Sequence, residues 1–234
     1  MAQESSNTLP DGPEPGQGTV VRSWGPPSGR APRHLVVLLH GVGARGDDLL
    51  PFAPALGGVL PDALFLAPDA PEPYDGAPFG RQWFSLGDRR PAVLVPAIQT
   101  AAPLLARRIA FWLERLGLDH GDLVLLGFSQ GAMMALHTGL RLPRPPAAIL
   151  AYAGALLDPE GLEHALVHPP PPVLLVHGEA DPVVPAEASR RAALRLRQLG
   201  VPVDSRFEPG VDHTISPDGM MAGAAFLRRC MKPS

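Results

Sequence analysis

The sequence predicts an α/β fold: a mainly parallel central sheet with helices on both faces. Three observations predict it. Short apolar runs alternate along the chain with longer segments of helical periodicity. Several of those runs are continuous rather than alternating, as in strands covered on both faces. Three polar, glycine-bearing motifs stand at strand ends, where sheets of this kind place their ligands.

Residues 1–18 are polar, rich in Pro and Gly and without hydrophobic periodicity, which reads as a flexible tail before a single domain over 19–234. Leu35 to Leu39 is a continuous apolar run and the first clear strand. Asp47 to Leu56 follows as a short helix, and Ala63 to Ala67 as a strand that Pro68 ends. Asp69 to Pro96 is a long excursion, read as a lid-like loop because connections of that length in compact domains are usually functional. Apolar residues at helical spacing over Pro91 to Leu116 predict a long helix, with Pro103 expected in its first turn and Gly117 as its stop. Leu123 to Leu126 reads as a central strand and Gln130 to Leu140 as the helix after it. Ala147–Tyr152 and Val173–Val176 are two further buried strands, and Glu187–Leu199 is an amphipathic helix. Val201–Phe207 is a strand by its alternation, and Pro217–Met231 closes the chain as a helix.

Composition narrows the function classes. The chain has 234 residues, 45% hydrophobic and 18% charged, enough apolar material for a sizeable core and against wholesale disorder. A formal net charge of −3 gives no basic footprint for nucleic acid. No apolar run has the length of a membrane span, so stable membrane insertion is not expected. The single cysteine, Cys230, leaves no intrachain disulfide and no multi-cysteine metal site. With neither a positive n-region nor an apolar h-region at the N-terminus, a cytoplasmic location is the expectation.

Gly127-Phe128-Ser129-Gln130-Gly131 fits G-x-S-x-G. The five letters alone are weak, but here they sit between a predicted strand and a predicted helix, the setting of a nucleophile elbow. A serine hydroxyl is a poor nucleophile until a base takes its proton, and the base needs a third group to fix its tautomer. His213, in the loop between the last strand and the last helix, is the candidate base. Asp181, in His177-Gly178-Glu179-Ala180-Asp181-Pro182, is the candidate acid, with Glu179 and Asp212 as rivals. The order Ser129, Asp181, His213 is that of α/β-hydrolases. The oxyanion hole needs two N–H donors, expected from Gln130 at the helix N-terminus and from Val42 in His40-Gly41-Val42-Gly43. His40 and His177 each precede a glycine at a strand end and read as braces of loop backbone. Phe79, Trp83 and Leu86 read either as an apolar wall for an acyl chain or as residues tucking their loop onto the core. This chemistry calls for no cofactor and no metal.

Taken together, Leu39-His40-Gly41-Val42-Gly43, Gln82-Trp83-Phe84-Ser85-Leu86, the elbow, Val176 to Pro185 and Asp212-His213 resemble the phospholipase/carboxylesterase family, the acyl-protein-thioesterase-like branch of the α/β-hydrolases in its bacterial form. The likeness runs from about Leu35 to Leu227, with five motifs in order. Ala44-Arg45 and Asp212 depart from the residues common at those places. The resemblance implies an α/β-hydrolase fold and a serine carboxylic ester hydrolase with Ser129, Asp181 and His213 as triad. It also implies backbone donors at Val42 and Gln130, with Trp83 and Val183 bordering the acyl pocket. The expected partner is a small ester or thioester of short to medium chain. Acyl-protein thioesters and lysophospholipids are alternatives, and a non-catalytic binding module on the same fold is the competitor from another class. An exposed apolar lid would also let two copies pair.

Overall fold

A computed structural model describes residues 20–26 and 30–231. The tail expected over 1–18 lies outside the described residues.

Seven strands form one sheet in the order β1-β3-β2-β6-β7-β8-β9. They are β1 (Val21–Trp24), β2 (His34–Leu39), β3 (Ala63–Pro68), β6 (Leu123–Phe128), β7 (Ala148–Tyr152), β8 (Val173–Gly178) and β9 (Val203–Glu208). Only β1 runs antiparallel, on the edge beside β3, and the other pairings are all parallel. A two-stranded hairpin, β4 (Glu72–Pro73) with β5 (Arg81–Gln82), lies apart from that sheet.

Continuous apolar strands are explained by the period of two that sends neighbouring side chains to opposite faces. Leu35, Val37 and Leu39 join one core with Leu123, Leu125, Ile149 and Leu175. Val36 and Leu38 join the other with Val124, Leu126, Leu150 and Leu174. Helices α2 (Pro91–Leu116), α3 (Gln130–Gly139) and α5 (Glu187–Gln198) cover the first face, and α1 (Ala53–Gly57) and α6 (Pro217–Cys230) the second. The short α4 (Pro159–Ala165) contributes Leu162 to the first core.

The departures from expectation have local causes. The single helix expected over Asp47–Leu56 is instead two 3₁₀ turns, Gly46–Asp48 and Leu50–Phe52, followed by the one-turn α1. Pro51 and Pro54 lack the N–H that a continuous helix would need there. Pro103 is not in the first turn of α2 but deep inside a 26-residue helix, with Pro91 at its start and Pro96 also within. The helix stops at Gly117, whose φ of 66° supplies the left-handed cap. The excursion from residue 69 is shorter than expected, because 91–96 already belong to α2. β1, the β4–β5 hairpin and α4 have no counterpart in the sequence reading.

Candidate active site

The elbow sits at the end of β6, near the middle of the sheet, with β2 and β7 on either side. Ser129 adopts φ 54° and ψ −117°, a strained conformation for a residue with a side chain. Two glycines make that turn possible. A Cβ on Gly127 would lie 2.2 Å from the Gly131 carbonyl oxygen, and one on Gly131 would lie 1.9 Å from that of Leu39. Hydrogen bonds then fix the serine's backbone: its N–H donates to the Tyr152 carbonyl at 2.9 Å, and its carbonyl accepts the Ala132 N–H at 3.0 Å.

Three side chains remote in sequence meet here. His213 Nε2 is 3.0 Å from Ser129 Oγ, and His213 Nδ1 is 2.6 Å from Asp181 Oδ2. The turn after β8 holds the other oxygen, because Asp181 Oδ1 accepts the N–H groups of Val183 at 2.8 Å and Val184 at 2.9 Å. Burial pushes the Asp181 carboxyl up, but the hydrogen bond from His213, the Val184 and Val183 N–H groups and the charge of His213 together bring it below its ordinary value. Gly178 lets the histidine loop approach, since a Cβ there would lie 2.2 Å from the Val211 carbonyl oxygen. The Ala180 N–H donates to that same carbonyl at 2.9 Å. Phe128 packs on the His213 ring with centroids 4.8 Å apart. The rival acids lie elsewhere: Glu179 pairs with Arg190, and Asp212 is exposed.

Gln130 opens α3, so its N–H is one of the donors that a helix leaves without an internal partner. Val42 faces the same cavity as Ser129, and its N–H meets no acceptor among the described residues. The Val42 loop is braced on both sides. The Gly43 N–H donates to the Arg81 carbonyl at 2.8 Å, and the Arg81 N–H returns a bond to the Ala44 carbonyl at 3.0 Å. His40 holds its base: Nδ1–H donates to the Gly41 carbonyl at 2.7 Å, and Nε2 accepts the Ala70 N–H at 2.9 Å. Burial lowers the His40 pKa, in keeping with that neutral tautomer.

The cavity at Ser129 has a volume of about 360 Å³. Its apolar wall is Leu49, Phe52, Phe128, Ile215 and the half-exposed Val183. Of the residues read from the sequence as bordering an acyl pocket, Val183 is among those that line it. Among the described residues, none of 69–96 is among those that line the cavity. Phe79 is exposed on the hairpin, Trp83 is buried in the core beneath, and Leu86 packs against that core. Trp83 is a cross-brace: its Nε1–H donates to the His40 carbonyl at 2.9 Å, and its backbone N–H to Gln130 Oε1 at 3.0 Å. The Gln130 amide completes the brace by donating to the Phe84 carbonyl at 2.6 Å. Sequence reasoning used only the backbone of Gln130. The clue to its side chain was a long polar residue at the start of a helix buried on every side.

A profile of the phospholipase/carboxylesterase family matches residues 27–231. Esterase YpfH of Escherichia coli is 30% identical over 205 residues, covering 84% of this chain and 82% of the relative. Acyl-protein thioesterase 1 of Gibberella zeae is 29% identical over 217 residues, with 85% and 91% covered. The crystal structure of esterase PE8 superposes with a TM-score of 0.86 at 41% identity, over 91% of this chain and 99% of that one. The Bacillus cereus carboxylesterase, 15% identical over 92% of this chain and 96% of its own, shares the fold with a TM-score of 0.71. The chain belongs to the phospholipase/carboxylesterase family of α/β-hydrolases.

Proposed function

We propose that this protein is a serine carboxylesterase that hydrolyses short- to medium-chain esters through an acyl-enzyme. The observation that carries the proposal is the unbroken line from Asp181 Oδ2 through His213 to Ser129 Oγ, at 2.6 and 3.0 Å, ending in an apolar cavity. Ser129 Oγ attacks the ester carbonyl while His213 Nε2 takes its proton. Asp181 holds the proton of His213 on Nδ1 and stabilises the imidazolium that forms. The Val42 and Gln130 N–H groups receive the developing oxyanion. His213 then protonates the departing alcohol, and water repeats the sequence on the acyl-enzyme.

The chain-length reading rests on the cavity. At about 360 Å³ it is near the lower end of ligand pockets, which span roughly 300–1,000 Å³. Its walls fit a compact acyl group better than a long lipid tail. Thioesters share the same chemistry, and the thioesterase relative makes them the second substrate class to assay. Replacing Ser129 with alanine is expected to lower turnover of a short p-nitrophenyl ester by about 10⁶-fold and to abolish labelling by a fluorophosphonate. Hydrolysis or labelling that persists in Ser129→Ala refutes the assignment. An acyl-length series on esters and thioesters is expected to peak at short to medium chains, and a rate still rising at long chains would overturn the size argument.

A further inference from the structure

Asp181 Oδ2, the oxygen bound to His213, has a second imidazole against it. His177 Nε2 lies 3.1 Å from that oxygen and 2.8 Å from the Val184 carbonyl. Its ring is buried, and its other nitrogen, Nδ1, is 2.7 Å from Ser189 Oγ on α5. We propose that His177 is a positioning residue for the candidate acid, fixing Asp181 so that its Oδ2 points at His213. The inference rests on the triad reading above and extends it by one residue.

An ionised carboxylate has about four acceptor positions. Val183 N–H and Val184 N–H occupy two on Oδ1, while His213 Nδ1–H and His177 Nε2–H occupy two on Oδ2. Nε2 of His177 faces only acceptors, so it carries hydrogen and shares it between Asp181 and Val184. Nδ1 then accepts from Ser189. That hydroxyl has one proton and two neighbours, Nδ1 at 2.7 Å and the Gly154 carbonyl at 3.2 Å, and the nearer takes it. Both acceptors of Nε2 belong to the turn from Asp181 to Val184, so α5, through Ser189 and His177, sets where the carboxylate sits. Without His177, Asp181 keeps its two backbone bonds on Oδ1 but loses the contact that restrains rotation of Oδ2. An acid free to rotate holds His213 less well in the one orientation that leaves Nε2 toward serine.

A pair of variants separates positioning from packing. The amide of His177→Gln reaches about as far as Nε2 and keeps a donor toward Asp181. The shorter amide of His177→Asn reaches only the Nδ1 place, beside Ser189. Loss of a hydrogen bond to a charged group predicts a kcat about ten- to a hundredfold below wild type in His177→Asn, with KM little changed, and recovery of most of it in His177→Gln. The downfield proton resonance of His213 Nδ1–H, identified by its loss in His213→Gln, is expected to shift in His177→Asn and to stay in His177→Gln. Equal kcat and an equal resonance in the two variants would overturn the proposal. If a His177 variant does not fold, Ser189→Ala, which unties the far side of the ring, decides. It is expected to lower kcat by about two- to tenfold and move the same resonance, and no change in either overturns the inference. Failure of the triad reading looks different, because Ser129→Ala would then keep its activity and its fluorophosphonate labelling.

Discussion

Two cavities of nearly equal size lie at opposite ends of α3. The one at its N-terminus holds Ser129 and measures about 360 Å³. The one at its C-terminus is lined by His137, Thr138, Arg141 and Asp158 and measures about 370 Å³. Each includes a non-glycine residue with positive φ, Ser129 at 54° and Asp158 at 56°. They differ in where the polar groups point. In the first, the buried Asp181 carboxylate, His213 and the Ser129 hydroxyl form one line that ends at the cavity. In the second, Arg141 donates to Asp158 Oδ2 at 3.0 Å, and the same carboxylate accepts Gln99 and caps α4. Its charges satisfy each other. His137 Nδ1 and Thr138 Oγ1, buried beside them, meet no partner among the described residues. Size therefore does not separate the two ends of the helix. A directed line of donors and acceptors does.

Substitutions at the two ends should diverge sharply. Asp181→Asn is expected to lower kcat by about 10⁴-fold while leaving the fold intact, because the asparagine amide favours the wrong imidazole tautomer. Steady-state kinetics beside a circular dichroism spectrum tests this, and a loss of less than tenfold would break the contrast. Arg141→Ala should do the reverse. It leaves the Asp158 carboxylate without its main partner, which costs roughly 1–3 kcal/mol of stability in urea denaturation, while kcat stays within about twofold of wild type. An activity loss comparable to that of Asp181→Asn would show that the second cavity takes part in the chemistry.

A dependence of stability on pH is also expected. Burial lowers the His137 pKa to about 4, with Arg141 adding to the shift. The unfolded chain takes up this proton near ~6.5 and the folded chain only well below that. Stability is therefore whole above the unfolded value and falls as pH drops from about 6.5 toward 4. Urea midpoints measured across that window should decline, and less steeply in His137→Gln. An equal decline in the variant would assign the slope to other groups.

His137 also shows why parts of the molecule were legible in sequence and others were not. It sits on a helix legible from its own letters, yet α3 is buried on every side because α2 lies across it. The helix itself was readable from local letters, but its environment depends on a partner that begins some forty residues earlier. β2 and β6 were readable for the opposite reason, since each carries in its own sequence the apolar residues for both faces. The positions of the aromatic residues in 69–96 were not legible, because such letters report burial without direction. Trp83 turns inward to brace His40, and Leu49, Phe52, Phe128 and Ile215, from distant parts of the chain, join Val183 in lining the cavity.

By itself the sequence determined the alternation of strand and helix, the sharp turn at Ser129 and the chain order of serine, acid and histidine. These are short-range matters, fixed by side-chain period, glycine sterics and the chemistry each residue type can perform. Tertiary structure decided which oxygen of Asp181 meets His213, that a second imidazole shares it, and which apolar residues surround Ser129. Those outcomes depend on distances between segments that approach only when the parallel sheet brings its strand ends to one edge, and no local pattern encodes such a distance.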